Sequence, residues 1–247
     1  MPTATRLRTG EEILTLADDH WTTALISPSW SGPAWTFAGA VAYGTGTPDE
    51  PDSAITVVGT PDAAAALVRT LLADREEPPY VITVPRETSL DVEPETEPEE
   101  WELMVVHEPP PAQPGEDRVT VVDDSRQEIS ALLAVASPDH SVRPGHPKTD
   151  RWMGIRDESG QLVSVGALLR QGGGRIPYLA SIATLPTARG QGLGSAVSGA
   201  LTRWALEQGA DRCLLAHHSA NTGAHHVYER LGFRTVLEFT SVQPDQW

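Results

Sequence analysis

Arg189-Gly190-Gln191-Gly192-Leu193-Gly194 places a glycine at every second position between the apolar stretch Leu179 to Leu185 and a helical pattern after Ser195. Without Cβ atoms, such a backbone can bring its N–H groups close around an anion. The helix start adds further free donors and a favourable dipole. The spacing is not the G-x-G-x-x-G of a dinucleotide fingerprint. Nor is it a P-loop, because no Gly-Lys-Ser/Thr follows the last glycine. A pyrophosphate on a different carrier is implied. Alone, such a run is more often a tight strand-to-helix connection; the residues downstream alter that reading.

After the turn come a second apolar run, Cys213-Leu214-Leu215-Ala216, and then Asn221, Ala224, Tyr228 and Leu231-Gly232-Phe233. From Ile182 to Phe233 the sequence resembles the GNAT family of acyl-CoA-dependent N-acyltransferases, and the resemblance covers about residues 118 to 247. The family's Arg/Gln-x-x-Gly-x-Gly/Ala pattern is met by Arg189, Gly192 and Gly194. The resemblance implies that Arg189, Gly190, Gln191, Gly192, Leu193, Gly194 and Ser195 hold the CoA pyrophosphate, and that the Ile182-Ala183-Thr184 strand, closed by Pro186, pairs with the pantetheine arm. Asn221, Ala224 and Tyr228 match the later motif, and Gly232-Phe233 turns its helix into a final strand.

By resemblance, an amine attacks the thioester carbonyl of acetyl-CoA directly, passes through a tetrahedral intermediate and expels CoA thiolate, with no covalent enzyme intermediate. Tyr228 is the expected acid, since a phenol can protonate a departing thiolate held within hydrogen-bond reach. The base is open. Many GNAT enzymes use a carboxylate near the CoA strand, but here that strand reads Leu179-Ala180-Ser181-Ile182. Ordered water, Ser181, His140 or His146 remain as candidates. His217 and His218 end the Cys213 strand, where alternation sends one into the cleft and the other away. With His225 and His226 they lack an accompanying ligand pattern, so no metal is expected. Two functions stand: an N-acetyltransferase acting on a primary amine of a small molecule or peptide, and a catalytically silent acyl-CoA-binding module that reports occupancy to a partner.

The elements that must position these residues belong to a chain of 247 residues, long enough for two modules. The formal charge of −16 argues against nucleic acid, whose ligands need basic clusters. No apolar run approaches the roughly 20 residues of a membrane span, and the Met1-Pro2-Thr3-Ala4 opening lacks a basic, apolar leader, so a cytoplasmic location is expected. Cys213, the single cysteine, sits in an apolar run and reads as buried and structural.

The fold class expected is α/β (α+β). A C-terminal GNAT domain (118–247), with a mixed, largely antiparallel central sheet flanked by helices, follows a smaller N-terminal α/β module (1–107) and a Pro-rich linker (108–117) read as a semi-rigid spacer. In the N-terminal module, Glu11 to Asp18 reads as a helix. Trp35 to Tyr43, Ala54 to Val58, Tyr80 to Val84 and Trp101 to Val106 read as strands. Thr60-Pro61 caps a helix reaching about Ala73. Its order echoes a GNAT half, but Gly59-Thr60-Pro61-Asp62 offers no pyrophosphate cradle. It is either a degenerate GNAT-like module, completing the cleft or mediating oligomerisation, or an unrelated α+β domain. Asp91 to Glu102, acidic with two prolines, reads as a solvated loop.

Beyond it, Val119 to Val122 is a strand, about Ser125 to Val135 a helix, Ser137 to Asp150 the acceptor-side loop, and Trp152–Arg156 with Leu162–Leu169 a hairpin. The family suggests a homodimer, with the sheet edge near the C-terminus as one interface.

Overall fold

A computed structural model describes residues 3–46, 53–73, 75, 77, 79–123, 126–138, 141–171 and 173–246; His140 and Ser125 lie outside them. In chain order the elements are β1 (Thr5–Leu7), α1 (Gly10–Leu16), α2 (His20–Leu25), β2 (Ala34–Phe37), β3 (Ala40–Gly44), β4 (Ala54–Val58), α3 (Pro61–Leu72), β5 (Val81–Pro85), β6 (Glu93–Pro94) and β7 (Glu99–Val106). They continue as β8 (Thr120–Val122), α4 (Arg126–Ala136), β9 (Thr149–Arg156), β10 (Leu162–Gln171), β11 (Ile176–Thr184), α5 (Leu193–Glu207), β12 (Cys213–His218), α6 (Thr222–Arg230), β13 (Arg234–Val242) and β14 (Pro244–Gln246). The class is mixed α/β with largely antiparallel sheet. Among the described residues no helix is long and apolar enough to cross a membrane.

Contacts divide the chain into one unit of residues 1–102, 218–220 and 236–247, and a second of 103–217 and 221–235. The first unit orders its strands β1-β2-β3-β4-β5-β13. The stretch Trp35 to Tyr43, expected as one strand, is a hairpin, because Ala38 (φ 53) and Gly39 (φ 89) both adopt the left-handed conformation of a tight two-residue turn. An alanine at the first of those positions carries no turn signal in the sequence. Thr60 caps α3 as expected, its Oγ1 accepting from the Ala63 N–H at 3.4 Å, and Ala64, Leu67, Val68 and Leu71 turn the apolar face of α3 into the core.

Two expectations are corrected in this unit. The acidic stretch 91–102 is not all loop: Glu93–Pro94 pairs with β14, and β7 already begins at Glu99, with Glu99 and Glu100 exposed. The C-terminal sheet edge is not open either, because Phe239–Val242 pairs antiparallel with Ile82–Pro85. Phe239 also stacks on Trp101 with centroids 4.6 Å apart. Apolar alternation in 234–242 marked a strand but could not name its partner.

The second unit orders β7-β12-β11-β10-β9-β8. Helix α4 covers one face, with Ile129, Leu132 and Leu133 against Trp152, Val165 and Ala183. Helices α5 and α6 cover the other, with Val197, Leu201, Tyr228 and Leu231 against Leu168, Leu179 and Leu215. Each fully buried aliphatic or aromatic side chain contributes about 1.5–3 kcal/mol. The stretch 108–117 is not a detached spacer: Pro110 is buried, and Glu116 pairs with Arg203 of α5 at 2.9 Å while accepting the Gln113 N–H at 2.8 Å.

One irregularity shapes this sheet. Between β10 and β11 the register jumps from Ala167↔Ala180 to Val165↔Ala183, so β11 holds an extra residue. Ser181 sits in that bulge at φ 50, and Ala180 and Ala183 both face α4, where strict alternation would have separated them. A side chain at Gly166 opposite would overlap Ile182 Cδ1 at 2.3 Å.

Candidate functional site

The parallel pairing of β11 with β12 runs through Tyr178↔Leu214 and Leu179↔Leu215 and goes no further among the described residues. The bulge at Ser181 bends β11 immediately beyond the last pair, so the strands part there. Beyond the bulge, Ala183 and Thr184 pair antiparallel on the β10 side, with Ala183 opposite Val165 and Thr184 opposite Ser164. Their other edge is therefore a strand edge able to accept an extended ligand.

Beyond β11, a 3-10 turn at Pro186–Ala188 leads to Arg189 and the glycine run. Gly190 (φ 78) and Gly192 (φ 76) both adopt the left-handed conformation, and Gly192 is the N-cap of α5 with no side-chain hydrogen bond closing the helix start. The first-turn amides of Leu193, Gly194 and Ser195 point out of the helix end, as helix geometry requires. Alternating left-handed residues ahead of a helix N-terminus make a concavity lined by N–H groups, a form that suits phosphate oxygens. A Cβ on Gly194 would meet only Thr184 Oγ1, at 3.6 Å.

The side chains expected at this site divide by what they touch. Arg189 donates from Nε to Thr184 O (3.2 Å) and from Nη2 to Ala136 O (3.1 Å), which ties the end of β11 to the end of α4 and keeps its charge beside the turn. Gln191 is exposed, while Leu193 is buried in the core. Asn221 caps α6, its Oδ1 accepting the Ala224 N–H at 3.1 Å, and Ala224 packs against the core.

Tyr228 is 9 % exposed, and its ring lies 6.0 Å from those of Phe233 and His217. Burial pushes its phenol up to about 12. Gly232, at φ 91, ends α6 and returns the chain into β13.

Of the candidate bases, Ser181 is committed elsewhere: its Oγ donates to Val142 O (2.9 Å) and accepts from Val142 N (3.1 Å). His146 Nδ1 accepts the Lys148 N–H at 3.3 Å within the loop, and His140 is outside the described residues. His217 is buried and His218 exposed, as strand alternation requires. Cys213 is buried, and its thiol is pushed up to about 12 by burial.

Sequence reasoning missed Tyr178. Its phenol is raised above the ordinary tyrosine value by burial, an effect opposed by the Ala216 N–H directed at its oxygen and reinforced by nearby Tyr228. Ala216 lies one residue past the last β11–β12 pair, so Tyr178 caps a backbone donor where the strands separate. The only sequence signal for it was alternation along β11.

The first unit supplies an internal comparison. Its order from β1 to β5 matches that of the second from β8 to β12, with one additional helix, but the element after β5 is strand β6 where helix α6 follows β12; β4 and β5 again pair in parallel, at Ala54↔Val81, Ile55↔Ile82 and Thr56↔Thr83. The start of α3 has none of the cradle's properties: Pro61 has no N–H, the Ala63 N–H is taken by Thr60, and Asp62 adds a negative charge.

Residues 125–233 match the model of the acetyltransferase (GNAT) family. Among solved structures, a GCN5-related N-acetyltransferase from Sphaerobacter thermophilus superposes with a TM-score of 0.57 at 16% identity, covering 94% of this chain and 84% of that one. An acetyltransferase from the GNAT family of Colwellia psychrerythraea gives 0.56 at 12% identity over 99% and 100%. A protein ascribed to the same family from Novosphingobium aromaticivorans gives 0.56 at 19% over 86% and 88%. At these identities the likeness is one of fold. No curated protein matches the sequence. With a left-handed glycine turn at a helix start, two strands parting at a bulge and a family match spanning both, residues 125–233 are a domain of the acetyltransferase (GNAT) family.

Proposed function

We propose that the chain is an N-acetyltransferase that moves an acetyl group from acetyl-CoA to a primary amine of a small molecule or peptide by direct attack in a ternary complex. The observation that carries this reading is the parting of β11 from β12 beside the uncapped start of α5. The residues present fit acetyl-CoA: the amides of Gly190 to Ser195 would receive the pyrophosphate, with Arg189 adding charge, and the edge of Ile182–Thr184 would pair with the amides of the pantetheine arm. Acetyl-CoA supplies a thioester activated toward amines. Backbone N–H groups at the strand gap would polarise its carbonyl, and holding both reactants there supplies proximity worth several kcal/mol. Tyr228, kept protonated by burial, would give its proton to the leaving sulfur. The first unit, with a capped and proline-started α3, is read as a GNAT-like module without a cofactor cradle.

Calorimetric titration with acetyl-CoA tests the reading, with free pantetheine and Arg189→Glu as comparisons. Micromolar binding is expected, weakening at least tenfold without the pyrophosphate and by a similar factor in Arg189→Glu. No binding would reduce the glycine run to a connection. Binding without turnover on any amine would favour the silent acyl-CoA-binding module, a reading supported by the lack of a carboxylate on β11.

A further inference from the structure

We propose that a cavity in the first unit binds a small primary alkylammonium ion, an inference that stands apart from the acetyl-transfer reading. The cavity measures about 200 Å³ and lies at the C-terminal end of β4, where Val58 and Gly59 follow the parallel pairs with β5 that reach Thr56↔Thr83. Its floor is apolar: Val41 and Val58 belong to the cluster buried with Ile13 of α1, and Leu237 of β13 packs against it. It therefore opens on the sheet face opposite α3, whose partners are Ala40, Ala42 and Val57. Gly39 (φ 89) and Gly59 (φ 134) also line it and put no side chain into the space.

Its charge comes from Asp18 and Asp19, the link between α1 and α2. Asp18 is exposed and Asp19 half-buried. Asp19 Oδ1 accepts the N–H groups of Trp21 and Thr22, each at 2.9 Å, and Oδ2 accepts the Thr22 hydroxyl at 2.6 Å. Thr22 has one hydroxyl hydrogen and uses it there, so the Tyr43 phenol, 3.1 Å away, donates to Thr22. Burial and the charge of Asp19 push that phenol well above the ordinary tyrosine value, which keeps it a donor. Every donor to Asp19 is thus neutral, and among the described residues neither aspartate is paired with a cation. A carboxylate has about four acceptor sites; these donors leave one, on Oδ2, and Asp18 adds its own.

The chemistry of the walls selects the ligand. Uncompensated negative charge attracts a cation, and low-dielectric walls concentrate its field. An ammonium group carries several N–H donors for the two carboxylates. Its alkyl stem covers Val41, Val58 and Leu237, a surface that a hydrated metal ion would leave unused. Size follows from the space: about 200 Å³ exceeds the roughly 150 Å³ that admits benzene, so an amine with a body of about six carbons fits. The site binds and does not transfer, because α3 starts with Pro61 and the Thr60 cap and offers no phosphate cradle.

The test titrates the full-length protein, without acetyl-CoA, with n-pentylamine, cyclohexylamine and benzylamine, and with the matching alcohols, by calorimetry and 15N-edited NMR. The amines should bind with Kd of about 0.1–1 mM, and the alcohols at least about tenfold more weakly. The amide signals of Trp21 and Thr22, which donate to Asp19, should shift on saturation together with those of Gly39 and Gly59. Asp19→Asn keeps a residue suited to the helix cap and removes the charge; it should weaken amine binding by about 10–100-fold. Asp18→Asn, at an exposed position that leaves the cap untouched, should weaken it by at least about threefold. No amine bound, alcohols bound as tightly, or both variants at wild-type affinity would each overturn the proposal. So would shifts confined to residues 103–217, which would put the amine in the second unit. The acetyl-transfer reading fails separately, in the acetyl-CoA titration.

Discussion

Gly192→Ala separates what the fold asks of the glycine run from what a ligand asks of it. Gly192 caps α5 at φ 76, and a Cβ there meets nothing within 4 Å, so the substitution is penalised by backbone conformation and not by collision. Holding an L-residue left-handed costs about 1–2 kcal/mol, of which roughly 0.4–1 kcal/mol is recovered because alanine restricts the unfolded chain. A net loss of about 1 kcal/mol is expected, lowering Tm by roughly 2–5 °C. Relaxation of φ would also swing the Leu193 and Gly194 amides. Since a hydrogen bond to a charged group is worth about 1.5–3 kcal/mol, misaiming one should weaken acetyl-CoA binding by roughly 10–100-fold.

Gly194→Ala is the control. That residue is helical, its added Cβ touches only Thr184 Oγ1 at 3.6 Å, and alanine is favoured over glycine in a helix by up to about 1 kcal/mol. It should leave stability equal or raised and affinity within about threefold. Thermal unfolding and calorimetry on both variants check this. If Gly192→Ala matched wild type in both measurements, the conformational account of the cradle would be wrong.

Ser181→Ala removes both hydrogen bonds to Val142 and leaves a buried N–H and C=O with a left-handed alanine at the bulge; a loss of about 2–3 kcal/mol is expected in denaturant titrations. Tyr228→Phe should lower kcat by about 10²-fold or more with KM for acetyl-CoA nearly unchanged, as read by thiol release; equal kcat would remove Tyr228 from the acid role. Burial raises the Tyr228 phenol from 10.0 and the Cys213 thiol from 9.0, each to about 12. Both are neutral when protonated, so their stabilising effect is complete below the unfolded values and is lost as pH climbs toward 12. Unfolding free energy from these groups should therefore be flat from pH 7 to 9 and fall above it, less steeply in Tyr228→Phe. Cys213 should resist alkylation in the native protein and react on unfolding, as mass spectrometry would register.

Much of the second unit was legible because its signals are local. The glycine run, the Asn221 cap and the 3.6-residue apolar spacing of α5 follow from preferences within a few residues, and the structure contains them close to where the sequence puts them. The Thr60-Pro61 cap and the exclusion of a phosphate site beside it were equally local. The Ala38–Gly39 turn was not, since alanine rarely takes a positive φ and does so here under the pairing of β2 with β3. A residue's neighbours in sequence bound its conformation; its partners in space can override it.

The sequence by itself determined the family of the C-terminal domain, the glycine turn, Tyr228 and the lack of a carboxylate on the CoA-side strand, since each is a matter of residue type and short spacing. Only the tertiary structure decided that Ser181 spends its hydroxyl on Val142, that Phe239–Val242 pairs with Ile82–Pro85, and that His217 and His225 meet at hydrogen-bond distance. Those contacts join residues many positions apart or on different elements. They depend on strand register, on the bulge at 181 and on the packing of α6 over β12, which no local pattern encodes.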